Sequence, residues 1–184
     1  MRKVVSGLFI SLDGVVESPN QWQFEFDEDM GAALTTTLET SDAVLLGRVT
    51  YTEWAGYWPT VTSGDDAGFA TWINTSPKYV ASTTLDNVDD WPNSTLITGD
   101  LAAAVERLNA GEGKAIAVAG SPGLVRSLLD QNLLDELVLL IHPVIAGEGR
   151  TKLFADDTAL KKLHLVSAQP TRSGVIIATY RPVT

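Results

Sequence analysis

Three short segments of the chain carry residues suited to binding phosphate groups. In the first, Ala119-Gly120-Ser121-Pro122-Gly123-Leu124-Val125, an apolar run ends at a glycine-bearing turn and a helix begins. Such a turn presents backbone N–H groups at the positive end of a helix dipole, so a phosphate can bind there without a lysine. An ordinary strand-to-helix turn also needs glycine for its φ angle, so this segment alone leaves both interpretations open.

The other two segments add side-chain donors. They are Leu46-Gly47-Arg48-Val49-Thr50-Tyr51, at a second strand-to-helix junction, and the hydroxyl cluster Ser82-Thr83-Thr84. An arginine can hold phosphate oxygens with two N–H groups, and Thr50 can donate to another oxygen. Singly, Arg48 could pair with an acid and Ser82 could cap a turn. Because ligands of α/β sheets bind at the carboxyl ends of strands, the coincidence of all three segments at such ends favours a dinucleotide.

The pattern of the chain predicts an α/β fold around a largely parallel sheet, since runs rich in β-branched residues alternate with helical periodicity. Strands are predicted over residues 3–12, 43–46, 78–82, 94–97, 115–119, 136–145, 162–168 and 174–180. Helices are predicted over residues 27–39, 49–54, 67–73, 101–108 and 122–131. The short link 169–173 predicts that the last two strands are antiparallel. We expect one domain over residues 1–184, of which 45% are hydrophobic.

Composition excludes several classes of protein. The chain has no cysteine and two isolated histidines, which argues against disulfides, a cysteine nucleophile and a metal site. A net charge of −10 disfavours nucleic acid as a partner. The longest apolar run, residues 137–141, is far below the roughly 20 residues of a membrane helix. With no evident secretion signal, we expect a cytoplasmic protein that does not bind membranes.

Five segments together resemble one superfamily, which comprises dihydrofolate reductase and the reductase domain of the bifunctional riboflavin-biosynthesis protein. They are Ile10-Ser11-Leu12-Asp13-Gly14, Val44-Leu45-Leu46-Gly47-Arg48-Val49-Thr50-Tyr51, Ala119-Gly120-Ser121, Leu133-Leu134-Asp135-Glu136-Leu137 and His142-Pro143-Val144-Ile145-Ala146-Gly147-Glu148-Gly149. The resemblance extends over residues 3–181. It implies an NADPH-dependent oxidoreductase with a three-layer fold, in which helices flank a mostly parallel eight-stranded sheet that has an antiparallel C-terminal strand.

The resemblance also implies which residues bind NADPH. The cofactor phosphates would contact the helix start formed by Gly47, Arg48, Val49 and Thr50. The adenosine 2′-phosphate would lie at the strand end with Ser82 and Thr83, and the pyrophosphate at the turn formed by Gly120, Ser121, Pro122, Gly123, Leu124 and Val125. The nicotinamide would be flanked by the backbone of Leu8 and Phe9, by Asp13 and by the loop that follows Asp13 and Gly14.

Two departures from the superfamily pattern bear on the substrate. Many relatives have two adjacent glycines where this chain has Gly120-Ser121, which leaves the geometry of that turn open. The riboflavin-type reductases have a glutamate where this chain has Val118, so a ribosylaminopyrimidine substrate is disfavoured. We therefore expect a small pterin-like or other conjugated substrate.

Hydride transfer to such a substrate also requires a proton. In dihydrofolate reductase a carboxylate early in the first helix supplies it, and the candidates here are Asp27, Asp29 and Glu25, with Asp27 favoured and water as the alternative source. Spacing from Gly47 would instead place the family's acid near Gly31. This acidic run could also simply cap and solvate the helix start.

Aromatic residues and histidines complete the set of candidates. Trp22 lies in the loop that covers the nicotinamide in relatives, so it could shield the reaction from water or anchor the core. Three further aromatic residues could line a substrate pocket, the core or a dimer contact, namely Trp54, Tyr57 and Trp58. We expect His142 to be a packed structural residue, and His164 has no identifiable partner.

Two functions remain open from the sequence. One is an NADPH-dependent reductase, and the other is a non-catalytic module of the same fold that binds NADPH or only assembles. Relatives of the riboflavin type pair through sheet edges and C-terminal strands, so the resemblance implies a homodimer.

Overall fold

An eight-stranded mixed sheet forms the centre of the fold. The computed structural model describes residues 1–154 and 158–183. The strands are Val4–Ser11 (β1), Ser41–Gly47 (β2), Lys78–Ala81 (β3), Ser94–Ile97 (β4), Ala115–Val118 (β5), Glu136–His142 (β6), Leu163–Pro170 (β7) and Ile176–Pro182 (β8). Their order is β4-β3-β2-β5-β1-β6-β8-β7, and β8 runs antiparallel to both neighbours while the other pairs are parallel. The predicted sheet, with its antiparallel C-terminal strand, is confirmed.

Five α-helices connect the strands. They are Glu28–Thr40 (α1), Arg48–Ala55 (α2), Ala67–Thr75 (α3), Leu101–Ala110 (α4) and Pro122–Asp130 (α5). The helix predicted over residues 67–73 is thus confirmed, as is the N-terminal cap at Asp100, whose carboxylate accepts from the Ala102 N–H. The strand predicted over residues 136–145 ends earlier, at His142, because Pro143 has no N–H to continue the ladder. Residues 155–157 and 184, which the predicted domain of residues 1–184 includes, lie outside the described residues.

The helices cover both faces of the sheet, and β2 shows why. Side chains alternate across a strand, so Ala43 and Leu45 join one buried cluster while Val44 and Leu46 join another. The first cluster is formed with α4 and α5, and the second with α2 and α3. Because β2 is buried on both faces, its residues 43–46 form a continuous apolar run. The two cores give the three layers that the sequence predicted.

A buried lysine fastens the α3 segment to the sheet. Lys78 at the start of β3 is fully buried, and its ammonium donates to the backbone carbonyls of Ile73, Asn74 and Ser76 at 3.0–3.4 Å. The ammonium also lies 4.7 Å from the centre of the Trp91 ring. Burial lowers the pKa of Lys78 to about 8. These contacts hold the long segment between α2 and β3, residues 56–77, against the sheet.

Candidate functional site

A cleft of about 470 Å³ opens at the carboxyl ends of the parallel strands, between the starts of α2 and α5. The residues that line it come from all three segments that the sequence singled out, and they include Gly47, Arg48, Val49, Ser82, Thr83, Ser121, Gly123 and Leu124. Three other predicted residues, Thr50, Gly120 and Pro122, lie directly beside these in the chain. Val125 is fully buried and belongs to the core beneath the cleft.

Two of the helices that face the cleft, α2 and α5, begin without a side-chain cap. Gly47 precedes α2 and has no side chain, and Ser121 precedes α5 without bonding to that helix start. The Ser121 hydroxyl instead meets the Thr50 hydroxyl at 3.1 Å. The first N–H groups of a helix have no acceptor within it, so the amides of residues 48–50, 123 and 124 are left to bind a ligand. Two helix dipoles therefore present their positive ends to one space.

Two glycines allow the two helix starts to approach each other. A Cβ atom at Gly47 would lie 2.4 Å from the Ser121 Oγ and 3.0 Å from its Cβ. Gly120 has a φ of +77°, and a Cβ there would lie 2.9 Å from the Thr50 Oγ1. The peptide bond between Gly120 and Ser121 is cis. The turn thus accommodates Ser121 where many members of the superfamily have a second glycine.

The structure also decides between the alternatives left open for Arg48 and Ser82. Arg48 is exposed, and no carboxylate within the described residues forms an ion pair with it. Ser82 does stabilise a turn, since its Oγ accepts from the N–H groups of Thr84 at 3.1 Å and Leu85 at 3.0 Å. Its hydroxyl hydrogen remains available to donate. Arg48 is the one charged residue among those that line the described cleft.

Asp13 holds two loops together beside the end of β1. Its carboxylate accepts from the Ser11 hydroxyl at 2.6 Å and from the N–H groups of Ala146 and Gly147, both at 2.9 Å. These hydrogen bonds, the one from Ser11 first, lower the pKa of Asp13 to about 2. Because both carboxylate oxygens are engaged within the protein, the loop geometry depends on Asp13. Its predicted part in cofactor binding stays a prediction.

Asp27 is engaged in a similar way at the start of α1. Its Oδ1 accepts from the Met30 N–H at 3.0 Å, and its Oδ2 accepts from the N–H and hydroxyl of Ser173 at 2.9 and 2.8 Å. The hydrogen bond from Met30, and then those from Ser173, hold the pKa of Asp27 well below its usual range. Asp27 therefore caps α1, as the sequence left open, and these contacts hold its carboxylate in the ionised form.

The other two acidic candidates, Asp29 and Glu25, are exposed. The position suggested by spacing, Gly31, carries no carboxylate. Asp29 lies on the surface, where its carboxylate accepts from the Arg172 N–H at 3.3 Å, and Glu25 is also exposed. Gly31 lies in α1 one turn after Asp27. A Cβ atom at Gly31 would lie 3.6 Å from the Phe26 ring. The place where the resemblance would put an acid therefore has an aromatic neighbour and no side chain.

Four rings, from Phe9, Trp22, Phe26 and His142, form what we call the aromatic cluster. The His142 ring lies 5.7 Å from Phe9 and 5.6 Å from Trp22 between ring centres, and Phe9 lies 6.5 Å from Phe26. Trp22 is buried and its indole N–H donates to the Glu17 carbonyl at 2.9 Å, as expected of a core anchor. Its predicted shielding of the nicotinamide stays a prediction.

His142 is packed as the sequence predicted, yet its Nε2 lacks a hydrogen-bond partner. The side chain is 2% exposed, and no donor or acceptor within the described residues reaches this nitrogen. Burial lowers the pKa of His142, which keeps the imidazole neutral. Nothing in the sequence identified this unpaired nitrogen, because its packing depends on contacts distant in the chain.

The remaining candidates lie apart from the cleft. Trp54 and Trp58 pack against each other and against Phe69, with ring centres 4.6–5.8 Å apart, so these rings extend the core behind α2. Tyr57 joins them and is half exposed, and His164 is exposed on β7.

Residues 1–154 and 158–183 contain no group of three or more side chains arranged to hold a metal ion. Across the same ranges, no helix has the length and apolar character needed to cross a bilayer.

Comparison with known proteins places this architecture in a family. Residues 2–177 match the model of the RibD C-terminal domain. The chain belongs to the RibD C-terminal domain family. The chain is also similar to the uncharacterized protein YyaP of Bacillus subtilis (strain 168). The two are 31% identical over 184 residues, which cover 97% of this chain and 94% of YyaP.

Solved structures confirm the dihydrofolate-reductase-like fold of this RibD C-terminal domain. A putative riboflavin biosynthesis protein from Shewanella sp. PV-4 aligns with a TM-score of 0.76 at 19% identity, covering 99% of each chain. Dihydrofolate reductase from Enterococcus faecalis, solved with NADP(H), aligns with a TM-score of 0.65 at 11% identity, covering 99% of this chain and 97% of that one. The resemblance that the sequence indicated is therefore confirmed at the level of family and fold.

Proposed function

We propose that this protein is an NADPH-dependent reductase of a small conjugated substrate. The observation that carries the proposal is the convergence of two uncapped helix starts, Arg48 and several hydroxyls on one cleft at the strand ends. Amides at helix starts bind phosphate oxygens, and an unpaired guanidinium adds a bidentate partner. The acidic chain thus concentrates its anion-binding groups at one place.

The arrangement supports a phosphorylated dinucleotide as the ligand. The starts of α2 and α5 would hold the pyrophosphate, and Arg48 with Ser82 and Thr83 would hold the 2′-phosphate. The nicotinamide would lie beside Leu8 and Phe9 of β1, next to the aromatic cluster to which Phe9 belongs. When bound, NADPH supplies a hydride to the substrate.

The protein's part in the reaction is to position the reactants and to exclude bulk water. Trp22 and Phe9, which both pack against His142, would shield the predicted nicotinamide position from water, and Asp13 would fix the loop next to it. Asp27 is held as an ionised carboxylate, so we propose that water supplies the proton. In the alternative, a non-catalytic module, the protein would bind NADPH but oxidise none in the presence of quinones, pterins and flavins.

Replacing Arg48 with alanine should weaken NADPH binding roughly 10- to 100-fold, because hydrogen bonds to charged groups contribute about 1.5–3 kcal/mol. Isothermal titration calorimetry measures the affinity. Arg107→Ala is the control, since it removes an exposed arginine from the last turn of α4 and changes the net charge equally. Unchanged affinity in Arg48→Ala would remove Arg48 from the site.

We further propose that two copies of the chain associate through β7. This edge strand is exposed from His164 to Pro170, and it carries Leu165 and Val166 with 50% and 43% of their surfaces exposed. An exposed apolar edge is ready to pair with another strand. Sedimentation velocity should show a dimer, and the double variant Leu165→Lys/Val166→Lys should be monomeric with unchanged NADPH affinity. A monomeric wild-type protein would refute the pairing.

A further inference from the structure

Arg126 connects helix α5 to a short segment of the chain that follows β6. It lies in the second turn of α5, and its Nη1 donates to the Lys152 carbonyl at 3.1 Å and to the Leu153 carbonyl at 2.9 Å. No carboxylate among the described residues forms an ion pair with this guanidinium. Arg126 therefore binds backbone oxygens of one particular segment and is not half of a salt bridge.

The two carbonyls receive their hydrogen bonds from Arg126 alone within residues 1–154 and 158–183, since no backbone N–H there donates to either of them. Leu153 itself is fully buried. Backbone oxygens in buried segments are nearly always hydrogen-bonded, and a charged donor gives a stronger bond than a neutral one. Arg126 thus fixes the path of the chain at residues 152 and 153.

Residues 151–153 run beside the loop that follows β1. Val15 and Lys152 form an antiparallel β-bridge, and the Leu153 N–H donates to the Gly14 carbonyl at 2.9 Å. Val15 is fully buried, as Leu153 is. Because these contacts join the two backbones directly, a shift of residues 151–153 would also shift Gly14 and Val15.

These contacts extend from one half of the proposed cofactor site to the other. Helix α5 begins at the cleft, where Gly123 and Leu124 line it, while Gly14 and Val15 belong to the loop that would flank the nicotinamide. In the part of the chain that the structure describes, no other side chain of α5 forms a hydrogen bond with residues 143–154. Arg126 is therefore the polar link between the helix that would bind phosphates and that loop.

We propose that Arg126 is a positioning residue, which sets the distance between the start of α5 and the loop of residues 13–16. NADPH held by its phosphates at α5 would then meet a nicotinamide site that is already in place. The inference rests on the proposed reductase function and adds a residue outside the cleft, since Arg126 is not among the residues that line it. A site with its two halves at a fixed distance loses less conformational freedom when the ligand binds.

A pair of ligands separates the two halves of the site. NADPH and 2′-phospho-ADP-ribose share the adenosine 2′-phosphate and the pyrophosphate, but only NADPH carries a nicotinamide. Titration calorimetry gives the ratio of the two affinities. In Arg126→Met the preference for NADPH should fall roughly tenfold, which is typical of coupling within one hydrogen-bond network. The affinity for 2′-phospho-ADP-ribose should change by less than about twofold, because the amides at the start of α5 still bind its phosphates.

Two further variants accompany Arg126→Met. Lys161→Met is the matched control, because the Lys161 ammonium donates to the Leu129 carbonyl at the other end of α5. It removes one positive charge and a cation-to-carbonyl hydrogen bond, and it should leave the ratio of affinities unchanged. Arg126→Lys keeps a cation that can reach one of the two carbonyls, so the preference for NADPH should fall only about threefold. It carries the test if Arg126→Met does not fold.

The outcomes distinguish positioning from a purely structural role. A structural role would lower the thermal midpoint of Arg126→Met and weaken both ligands by the same factor, and that result would overturn the inference. An unchanged ratio in Arg126→Met, or equal affinities of the wild-type protein for the two ligands, would overturn it as well. If the wild-type protein binds neither ligand, the reductase function itself is wrong.

Discussion

Replacing Gly47 with alanine should abolish NADPH binding, with a loss of affinity of at least about 100-fold. The new Cβ would lie 2.4 Å from the Ser121 Oγ and 3.3 Å from its backbone nitrogen, so the starts of α2 and α5 must separate. Overpacking of this kind costs about 1–3 kcal/mol in stability. Affinity is lost in addition, because the amides of both helices would no longer converge on the same phosphate groups. Titration calorimetry with NADPH measures it.

Two further variants control for the effect of Gly47→Ala. Gly68→Ala in α3 adds the same methyl group where no atom lies within 4 Å, and it should leave affinity unchanged. Ser121→Gly in the Gly47→Ala background removes the colliding side-chain atoms and should recover part of the affinity. Wild-type affinity in Gly47→Ala would show that close approach of the two helix starts is unnecessary for binding.

Replacing Asp13 with asparagine should destabilise the protein at neutral pH by on the order of 5 °C in thermal midpoint. Its Oδ1 accepts from Ser11 and Ala146 while its Oδ2 accepts from Gly147, so an amide nitrogen at either position would face a donor. The loop after β1 and the loop after β6 would then separate. Differential scanning calorimetry at neutral pH measures the change.

The deficit of Asp13→Asn should depend on pH in a defined direction. Hydrogen bonding lowers the pKa of Asp13 from 3.8 to about 2, so the native state holds the ionised form and its contribution is complete above pH 3.8. The contribution is lost as the pH falls toward about 2, and the deficit should shrink over that interval. Asp66→Asn is the control, because Asp66 precedes α3 without capping it. A deficit independent of pH would contradict the role of the charge.

Most of the cleft between α2 and α5 could be predicted from the sequence because its parts are local. Each segment ends one strand, and carboxyl ends of parallel strands meet at one edge of the sheet. Gly47, Arg48 and Ser121 are therefore brought together by topology alone. The contact between Ser121 and Thr50 could not be predicted. Ser121 is the N-cap of α5 and Thr50 lies in the first turn of α2, and only the distance between the two helices decides where the hydroxyls point.

The surroundings of the aromatic cluster were less accessible to sequence reasoning because their contacts connect distant residues. The sequence left open whether Asp27 donates a proton or caps α1, but it could not show that Ser173 binds the Asp27 carboxylate across 146 positions of the chain. Phe26 and Gly31 lie in the acidic segment and gave no signal of an aromatic surface. The unmet hydrogen bond of His142 depends on the packing of Trp22, which comes from a loop without periodicity.

The most direct measurement of NADPH binding at this cleft is an NMR titration that follows backbone amides as NADP⁺ is added to labelled protein. We expect the largest shifts at the amides of residues 48–50, 123 and 124, with smaller shifts at Ser82 and Thr83 and almost none along α4 beyond its first turn. Saturation without shifts at both helix starts, or shifts confined to a different surface, would contradict the cleft as the cofactor site.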